Sequence, residues 1–308
     1  MSEARKPIVV VGSITMDLVT RTPQIPRVGQ TLIGTAFETT PGGKGANQAV
    51  AVARLGYPVH MVGAVGEDVF GDALLANLKR ERVDTQAVAR VPGPSGVAQI
   101  QVADNAQNSI VVVPGANAKV DPAAIDRQQT LVSSAGMVLL QLEIPIPTIL
   151  HTLDLCAAAE VPVMLDPAPS APLPDSVWPR IAWFTPNETE APLYVGVGLT
   201  VKDAAQRLLA RGLKGVVLKR GAEGAHVATS NGRAKWIPAF RVKAIDTVGA
   251  GDCFNGALAV ALMEGQDPIL AAHFASAAAA ISVSRRGAQA SMPTRAEVDQ
   301  FLHLHSQE

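Results

Sequence analysis

Short apolar runs that alternate with helical segments are the feature that most constrains the fold of this chain. Segments with helical spacing lie at residues 45–55, 70–82, 147–160 and 201–211. Runs rich in Val, Ile and Leu lie at 7–11, 59–65, 137–142, 161–165, 181–184 and 215–219. A continuous apolar run is typical of a strand that is buried on both faces. The alternation therefore predicts an α/β fold with a mostly parallel central sheet.

Two stretches depart from this alternation, at residues 17–40 and 97–114. Both carry Thr, Val, Ile and Gln with Pro and Gly between them, and neither has a helical period. We predict antiparallel strands that project from the main sheet and form a small lid over a cleft. The rest of the chain is Ala-rich and helical, at 252–265, 267–284 and 294–303. We therefore predict one domain over residues 1–308, with the lid built from these two insertions.

The charge balance argues against two classes of partner. The chain has 26 Lys and Arg against 27 Asp and Glu, a formal net charge of −1 and no basic block. Binding to nucleic acid or to an anionic membrane surface relies on such a block. The longest strongly apolar stretch, at 271–283, is shorter than the roughly 20 residues that a spanning helix needs. We expect neither nucleic acid nor a membrane as a partner.

The termini and the cysteines indicate a compartment. The first six residues are polar and run directly into the first apolar segment, so they do not have the layout of a signal peptide. Cys156 and Cys253 lie far apart and match no CxxC pattern. We predict a cytoplasmic protein in which both thiols are small core side chains.

The segment Asp246-Thr-Val-Gly-Ala-Gly-Asp252 carries the most chemical information. Three small residues, at 249–251, stand where a loop becomes a helix, and Asp252 follows them. The unpaired N–H groups and the dipole of a helix start bind a phosphate. A carboxylate beside that phosphate accepts the proton of an attacking hydroxyl. The alternative is a tight turn in which Asp252 only caps the helix.

A second glycine-rich segment, PGGKGANQA at 41–49, opens another helix. Its glycines are accompanied by Lys44 and Asn47, whose donors and acceptors suit a polyhydroxylated ligand. The alternative is a flexible turn with a solvated lysine. Neither segment matches the Walker A or GxGxxG pattern of nucleotide-binding loops.

Together, and in this order, the two segments resemble the two signatures of the ribokinase (PfkB-type) family of sugar kinases. The resemblance covers essentially the whole chain, because further blocks match in register. These blocks are VGSITMD at 11–17, QLE at 141–143, DPAP at 166–169, TPNETE at 185–190 and RGAQ at 286–289.

The resemblance implies the three-layer fold of this family with a β-sheet lid. It also implies an ATP-dependent phosphotransferase that acts on the primary (O5) hydroxyl of D-ribose and gives ribose 5-phosphate and ADP. A kinase of 2-deoxyribose, of a nucleoside or of another furanose is the alternative within this class. A non-catalytic sugar or nucleotide sensor on the same fold is a more remote one. The intact Gly-Ala-Gly-Asp favours catalysis, because a sensor needs no base beside an anion hole.

The resemblance also assigns residues to roles. Asp252 would be the general base, and the anion hole for the transferred phosphoryl group would consist of Gly249, Ala250 and Gly251. The sugar would be held by Thr15, Asp17, Gly43, Lys44, Asn47, Glu143 and Asp252. ATP would contact Asn187, Lys219, Gly221, Gly251 and Ser276.

Two cations and a dimer are implied in the same way. Asn187 and Glu190 would organise the phosphates and the Mg²⁺ that accompanies ATP. A K⁺ activator would lie at Asp246, Val248, Ser282, Arg285, Gly287 and Ser291, mostly on backbone carbonyls. An ordinary helix end and turn is the alternative for that segment. Exposed strand edges of the lid would pair two copies into a homodimer.

Three positions depart from the family pattern. Thr15 stands where Asn is common, which weakens the case for ribose against 2-deoxyribose because a hydroxyl replaces an amide. Lys219 stands where Thr or another small polar residue is common, and it would add a phosphate contact. Asp166 stands where Asn is common, and the sequence assigns this change no consequence.

Overall fold

A computed structural model describes residues 5–105 and 107–305, and the strands in this part of the chain form two sheets. The strands are β1 (Ile8–Val11), β2 (Thr15–Thr22), β3 (Ala36–Gly42), β4 (Val59–Gly66), β5 (Val88–Val91), β6 (Gly96–Ala103), β7 (Asn108–Val113), β8 (Met137–Leu140), β9 (Val163–Leu165), β10 (Trp183–Phe184), β11 (Gly215–Lys219), β12 (Gly224–Thr229) and β13 (Ala234–Pro238).

In the described residues, seven helices lie close to where the sequence predicts them, and three short ones of five residues each were not predicted. They are α1 (Lys44–Arg54), α2 (Val69–Arg80), α3 (Pro122–Asp126), α4 (Gln129–Ser133), α5 (Ile146–Ala158), α6 (Ala191–Val195), α7 (Val201–Leu209), α8 (Ala250–Met263), α9 (Pro268–Val283) and α10 (Arg295–His305). Side-chain caps fix at least four of the starts in the described ranges; for example, Asp68 accepts from Gly71 N ahead of α2, and Thr200 accepts from Asp203 N ahead of α7. None of the helices in the described ranges is long and apolar enough to cross a membrane.

The larger sheet has nine strands in the order β13-β12-β11-β10-β9-β8-β1-β4-β5. The seven strands that lie between β11 and β5 in this order, both included, run parallel. β12 and β13 add an antiparallel hairpin at one edge. All four residues of β1 are fully buried, and alternate side chains point to opposite faces. Ile8 and Val10 pack with α1, α2 and α8–α10, whereas Val9 and Val11 pack with α3–α7. The predicted three-layer α/β architecture is therefore confirmed.

The smaller sheet has the order β3-β2-β6-β7, and its two halves come from the two predicted lid segments. One correction applies: β2 pairs with β3 and β6 with β7 in antiparallel fashion, but β2 and β6 run parallel. Both inner strands leave the main body and run outward, and the outer strands return, so the centre of the lid must be parallel. The strands also begin earlier than predicted, at Thr15 and Gly96. Residue 106, inside the second segment, lies outside the described residues.

Three strands of the larger sheet were not predicted, namely the half-exposed edge strands β5 and β13 and the mostly buried β12 beside β13. β5 and β13 lie at the two ends of the order, and β13 buries only Ile237. Such strands lack the continuous apolar run that identified the inner strands. The inner strands also fix the position of the site, because their carboxyl ends meet at one edge of the sheet.

Candidate active site

The first loop of the site joins the end of β1 to the start of α1 through a backbone-to-backbone contact. A methyl group at Gly45 would lie 2.7 Å from backbone atoms of Gly12 and Ser13. Gly43 precedes α1 with φ +88°, a conformation that L side chains rarely adopt. The carbonyl of Ser13 accepts from the N–H of Ala46 at 2.9 Å. Glycines are required here because a side chain would separate the helix from the strand.

The second loop ends at α8 with the predicted geometry. Gly249 is in the left-handed conformation, with φ +74°, and Ala250 begins the helix. Asp252 lies in the first turn and is only 4 % exposed. The first N–H groups of a helix have no intrahelical partner, so this loop offers an anion site beside a buried carboxylate.

Thr15, Asp17 and Gly43 lie together at the base of the lid. Thr15 opposes Gly42 in the β2–β3 ladder, and a methyl group at Gly43 would lie 3.0 Å from Thr15 Oγ1. A methyl group at Gly42 would collide with the carboxylate of Asp17. The glycines of this segment therefore make room for the polar side chains of β2.

Asp17, Glu143 and Asp252 form a cluster of mutually repelling carboxylates. Burial, together with the charges of Glu143 and Asp252, raises the pKa of Asp17 to about 7. Burial also raises the pKa of Asp252 to about 6, and the charge of Glu143 acts in the same direction. Carboxyl groups with raised pKa values in a cleft are typical of catalytic sites.

Lys44 neutralises part of this charge. Burial alone would lower the pKa of its ammonium group, but attraction to Asp252, Asp166 and Glu143 outweighs burial and raises it. The backbone N–H of Lys44 donates to Glu143 Oε2 at 3.0 Å, and the hydroxyl of Ser13 donates to the same oxygen. The helix start and the end of β8 are thereby tied together around one carboxylate.

Amide side chains hold the carboxylate of Asp252 in place. Asn47 Nδ2 donates to Asp252 Oδ2 at 2.9 Å, and Gln48 Nε2 donates to Oδ1 at 3.2 Å. Behind them, Gln289 Nε2 donates to Asn47 Oδ1 at 3.1 Å and Gln141 Nε2 to Gln48 Oε1 at 2.7 Å. Because each amide is itself held, the carboxylate has a fixed orientation toward the anion site.

Asp166, to which the sequence assigns no consequence, lies in contact with Lys219. Lys219 ends β11, and its Nζ lies 3.0 Å from Asp166 Oδ1 beyond the end of β9. The other oxygen of Asp166 accepts from Gln48 Nε2 at 3.2 Å. The two departures from the family pattern are therefore the two halves of one buried ion pair.

Asn187 and Glu190, which the resemblance assigns to the phosphates and Mg²⁺, form a closed turn. Glu190 accepts from the backbone N–H and from Nδ2 of Asn187, both at 2.8 Å. Asn187 Oδ1 accepts in return from the backbone N–H groups of Thr189 and Glu190. Burial raises the pKa of Glu190. No group of three or more His, Cys, Asp or Glu in the described ranges is arranged to hold a metal. The carboxylate and amide oxygens of the turn are of the kind that suits a hard cation such as Mg²⁺.

A cleft of about 670 Å³ opens beside the start of α8. Its lining includes apolar side chains, among them Phe240, Ala279 and Val283, and also the carboxylate of Asp252. It is lined by the predicted residues Lys44, Asn187, Glu190, Lys219, Gly221, Gly249, Ala250, Gly251, Asp252 and Ser276. This mixed lining suits a ligand that has both apolar and anionic parts.

The residues predicted for a monovalent cation use their side chains to fold two adjacent loops. Asp246 accepts from the backbone N–H of Val248 at 3.0 Å and from that of Gly287 at 2.9 Å. The hydroxyls of Ser282 and Ser291 are 2.7 Å apart. The guanidinium group of Arg285 pairs with Glu297 at 2.6 Å, so only the carbonyl of Arg285 is left to bind an ion. The possible ligand atoms of these residues are all oxygens, which a hard cation prefers.

Several supporting residues escaped the sequence analysis. Ser13, Gln48, Gln141 and Gln289 all lie within quoted motifs, but none received a role. The signal that could have found the three glutamines is an amide side chain at a position whose neighbours have the spacing of buried core residues. Both cysteines are buried free thiols, and burial raises the pKa of each to about 12, as expected for core side chains.

Comparison with known proteins supports a sugar-kinase assignment for this arrangement. The family model described as pfkB family carbohydrate kinase matches residues 5–295. A ribokinase from Bacillus subtilis is 43 % identical over 296 residues, which are 96 % of this chain and 99 % of the relative. A deoxyribokinase from Salmonella typhi is 38 % identical over 304 residues, 97 % of this chain and 99 % of that one.

A solved structure extends the similarity to three dimensions. The structure of Arabidopsis thaliana ribokinase complexed with ribose and ATP superimposes with a TM-score of 0.90 at 35 % identity. The match covers 96 % of this chain and 98 % of the other. The arrangement of both sheets is therefore shared along nearly the whole length.

Proposed function

The chain belongs to the pfkB family of carbohydrate kinases, and from this premise we propose that it transfers a phosphoryl group from ATP to the O5 hydroxyl of D-ribose. The products are ribose 5-phosphate and ADP. The observation that carries the proposal is the position of Asp252, a buried carboxylate between the Asp17–Glu143 cluster and the anion site at the start of α8. A base in that position faces a sugar on one side and a phosphate on the other.

The sugar is held by the polar groups around Asp252. Asp17 and Glu143 accept hydrogen bonds from neighbouring ribose hydroxyls, because each carboxylate has two acceptor oxygens. Asn47 offers its amide, and the backbone at Gly43 completes the floor below Thr15. Lys44 adds a donor at the junction with the cleft.

The chemical step needs one proton transfer and one displacement. Asp252 takes the proton from O5, and the oxygen forms a bond to the γ-phosphorus as the bond to the ADP oxygen breaks. The N–H groups at Gly249, Ala250 and Gly251 stabilise the charge that develops on the transferred group.

The nucleotide occupies the cleft of about 670 Å³. Its base packs toward Phe240 and Ser276, and its phosphates extend past Gly221 and Lys219 to the anion site. Asn187 and Glu190 would hold the Mg²⁺ that accompanies ATP, which would neutralise phosphate charge. In this proposal the smaller sheet is the lid of a single kinase domain over residues 1–308. The buried free thiols are in keeping with a cytoplasmic enzyme.

A coupled assay of ADP release tests the substrate. We expect turnover with ribose to exceed that with 2-deoxyribose, fructose and ribonucleosides at equal concentrations. A preference for 2-deoxyribose would replace ribose by the alternative that Thr15 and the deoxyribokinase relative favour. Binding of ribose and ATP with no ADP release would overturn the kinase proposal in favour of a sensor.

We expect kcat/KM for ribose to fall on the acid side of about pH 6 to 7, since Asp252 and Asp17 titrate there. Only the carboxylate form of Asp252 accepts a proton, so activity is lost as pH falls through its pKa. Asp17→Asn should lower kcat/KM and leave a single acid limb near pH 6. A profile that stays flat between about pH 5 and about pH 8 would contradict the assignment of the base.

Potassium should raise the rate at fixed Mg²⁺ and ATP, because Asp246 fixes two carbonyl-bearing loops next to the anion site. Asp246→Asn should weaken this response, since an amide has only one acceptor oxygen for the N–H groups of Val248 and Gly287. Ser284→Ala, on the same turn but outside the predicted ligand set, is the control. Equal rates in potassium and in a bulky organic cation would count against the ion site.

The lid should pair two copies of the chain into a homodimer. β7 exposes all six of its residues and offers an unpaired edge. We expect light scattering to give twice the monomer mass of 32.0 kDa, and Val111→Lys to reduce it to the monomer. Val197→Lys, at an exposed valine far from the lid in the sequence, should leave the mass unchanged. A monomer mass for the wild-type protein would contradict the proposed homodimer.

A further inference from the structure

We infer that Asp166 is a positioning residue. It pairs with the ammonium group of Lys219 in the absence of nucleotide, and Lys219 exchanges this carboxylate for the phosphates when a nucleotide binds. The inference rests on the proposed function, since it concerns the nucleotide side of the same site. It gives a role to Asp166, to which the sequence analysis assigned none.

The first observation is that the ion pair is buried. Lys219 Nζ lies 3.0 Å from Asp166 Oδ1, and the two side chains are 13 % and 4 % exposed. Solvent therefore screens the attraction weakly. A phosphate that takes Lys219 must compete with a carboxylate that is already at hydrogen-bond distance.

The second observation is that Lys219 stands beside the anion site. A methyl group at Gly251 would lie 3.7 Å from Nζ, so the ammonium already borders the N–H groups at the start of α8. Asp166, Lys219 and Gly251 also line the same cleft. Lys219 has four rotatable methylene bonds, and a short rotation carries Nζ from the carboxylate to a phosphate oxygen.

The third observation is that Asp166 keeps partners after Lys219 leaves. Gln48 Nε2 remains 3.2 Å from its Oδ2, and the positive charge of Lys44 is close enough for Asp166 to affect the pKa of that ammonium. A buried carboxylate that loses its sole cation is strongly destabilised. Here the cation Lys44 and the amide of Gln48 remain beside Asp166. Moving Lys219 from Asp166 to a phosphate therefore changes the free energy little.

The consequence is that Asp166 weakens nucleotide binding through Lys219. Removing the carboxylate frees the ammonium and should tighten binding of ADP. Removing the ammonium should weaken binding of ADP and make the identity of residue 166 irrelevant. This dependence of one residue on the other is what separates positioning from a structural role.

The test is calorimetric titration of ADP into the full chain without sugar, for the wild type and three variants. We expect Asp166→Asn to lower the Kd for ADP about three- to tenfold and Lys219→Met to raise it about tenfold. The double variant should have the Kd of Lys219→Met. Thermal unfolding confirms that each variant is folded, and Lys219→Thr replaces Lys219→Met if the latter is not.

Two results would overturn the inference. One is weaker ADP binding by Asp166→Asn. The other is an equal effect of Asp166→Asn on the Kd for ADP with and without Lys219, which is the additivity expected of independent residues. Failure of the proposed function would be seen in the assay of ADP release with sugars. The ADP titration contains no sugar, so it compares the variants whatever the sugar assay shows.

Discussion

Asp252→Asn should lower kcat about 1,000-fold while the Kd for ribose changes less than about threefold. The amide has the shape of the carboxylate but accepts no proton from O5. Sugar binding depends mainly on Asp17 and Glu143, which the substitution leaves in place. Stopped-flow or steady-state ADP release gives kcat, and calorimetry with ribose gives the Kd.

Asp203→Asn is the matched control for this variant. Asp203 lies in the first turn of α7, as Asp252 does in α8, but it is exposed and outside the site. Both substitutions remove one negative charge from the start of a helix, so a loss common to both would reflect the helix dipole. Turnover near the wild-type level in Asp252→Asn would remove Asp252 as the base.

The fold could be predicted where burial is uniform. β1 and β8 are buried along their whole length, and their apolar runs identified them within two residues. The lid shows the limit of this reasoning. Its segments were identified from composition, but the parallel pairing of β2 with β6 depends on where two distant segments leave the main body. Composition contains no information on that direction.

The site shows the same division. Asp252, Lys44 and Asn187, which the motifs single out, line one cleft, and each stands at a local helix start or turn. The contact between Asp166 and Lys219 joins the ends of two different strands, and no local pattern predicts it. The amides Gln48 and Gln289 act through Asp252 and Asn47, so their function is visible only once all four side chains are placed.

Gly249→Ala should lower kcat about 100-fold, because the anion hole depends on a backbone conformation that only glycine adopts at this contact. Gly249 has φ +74°, and a methyl group there would lie 2.9 Å from the Cβ of Ala288. The clash must shift the loop or the turn at Ala288, and either shift moves the N–H groups away from the transferred phosphoryl group.

Gly265→Ala separates this displacement from backbone strain alone. Gly265 follows the other end of α8 with φ +78°, and a methyl group there meets no atom of the described residues within 4 Å. Both variants should therefore carry the cost of a left-handed alanine, about 2–4 °C in Tm, and Gly249→Ala should lose more because of its clash with Ala288. Only Gly249→Ala should lose turnover. If both variants lost kcat to the same extent, strain in α8 would explain the effect and the anion hole at Gly249 would have to be abandoned.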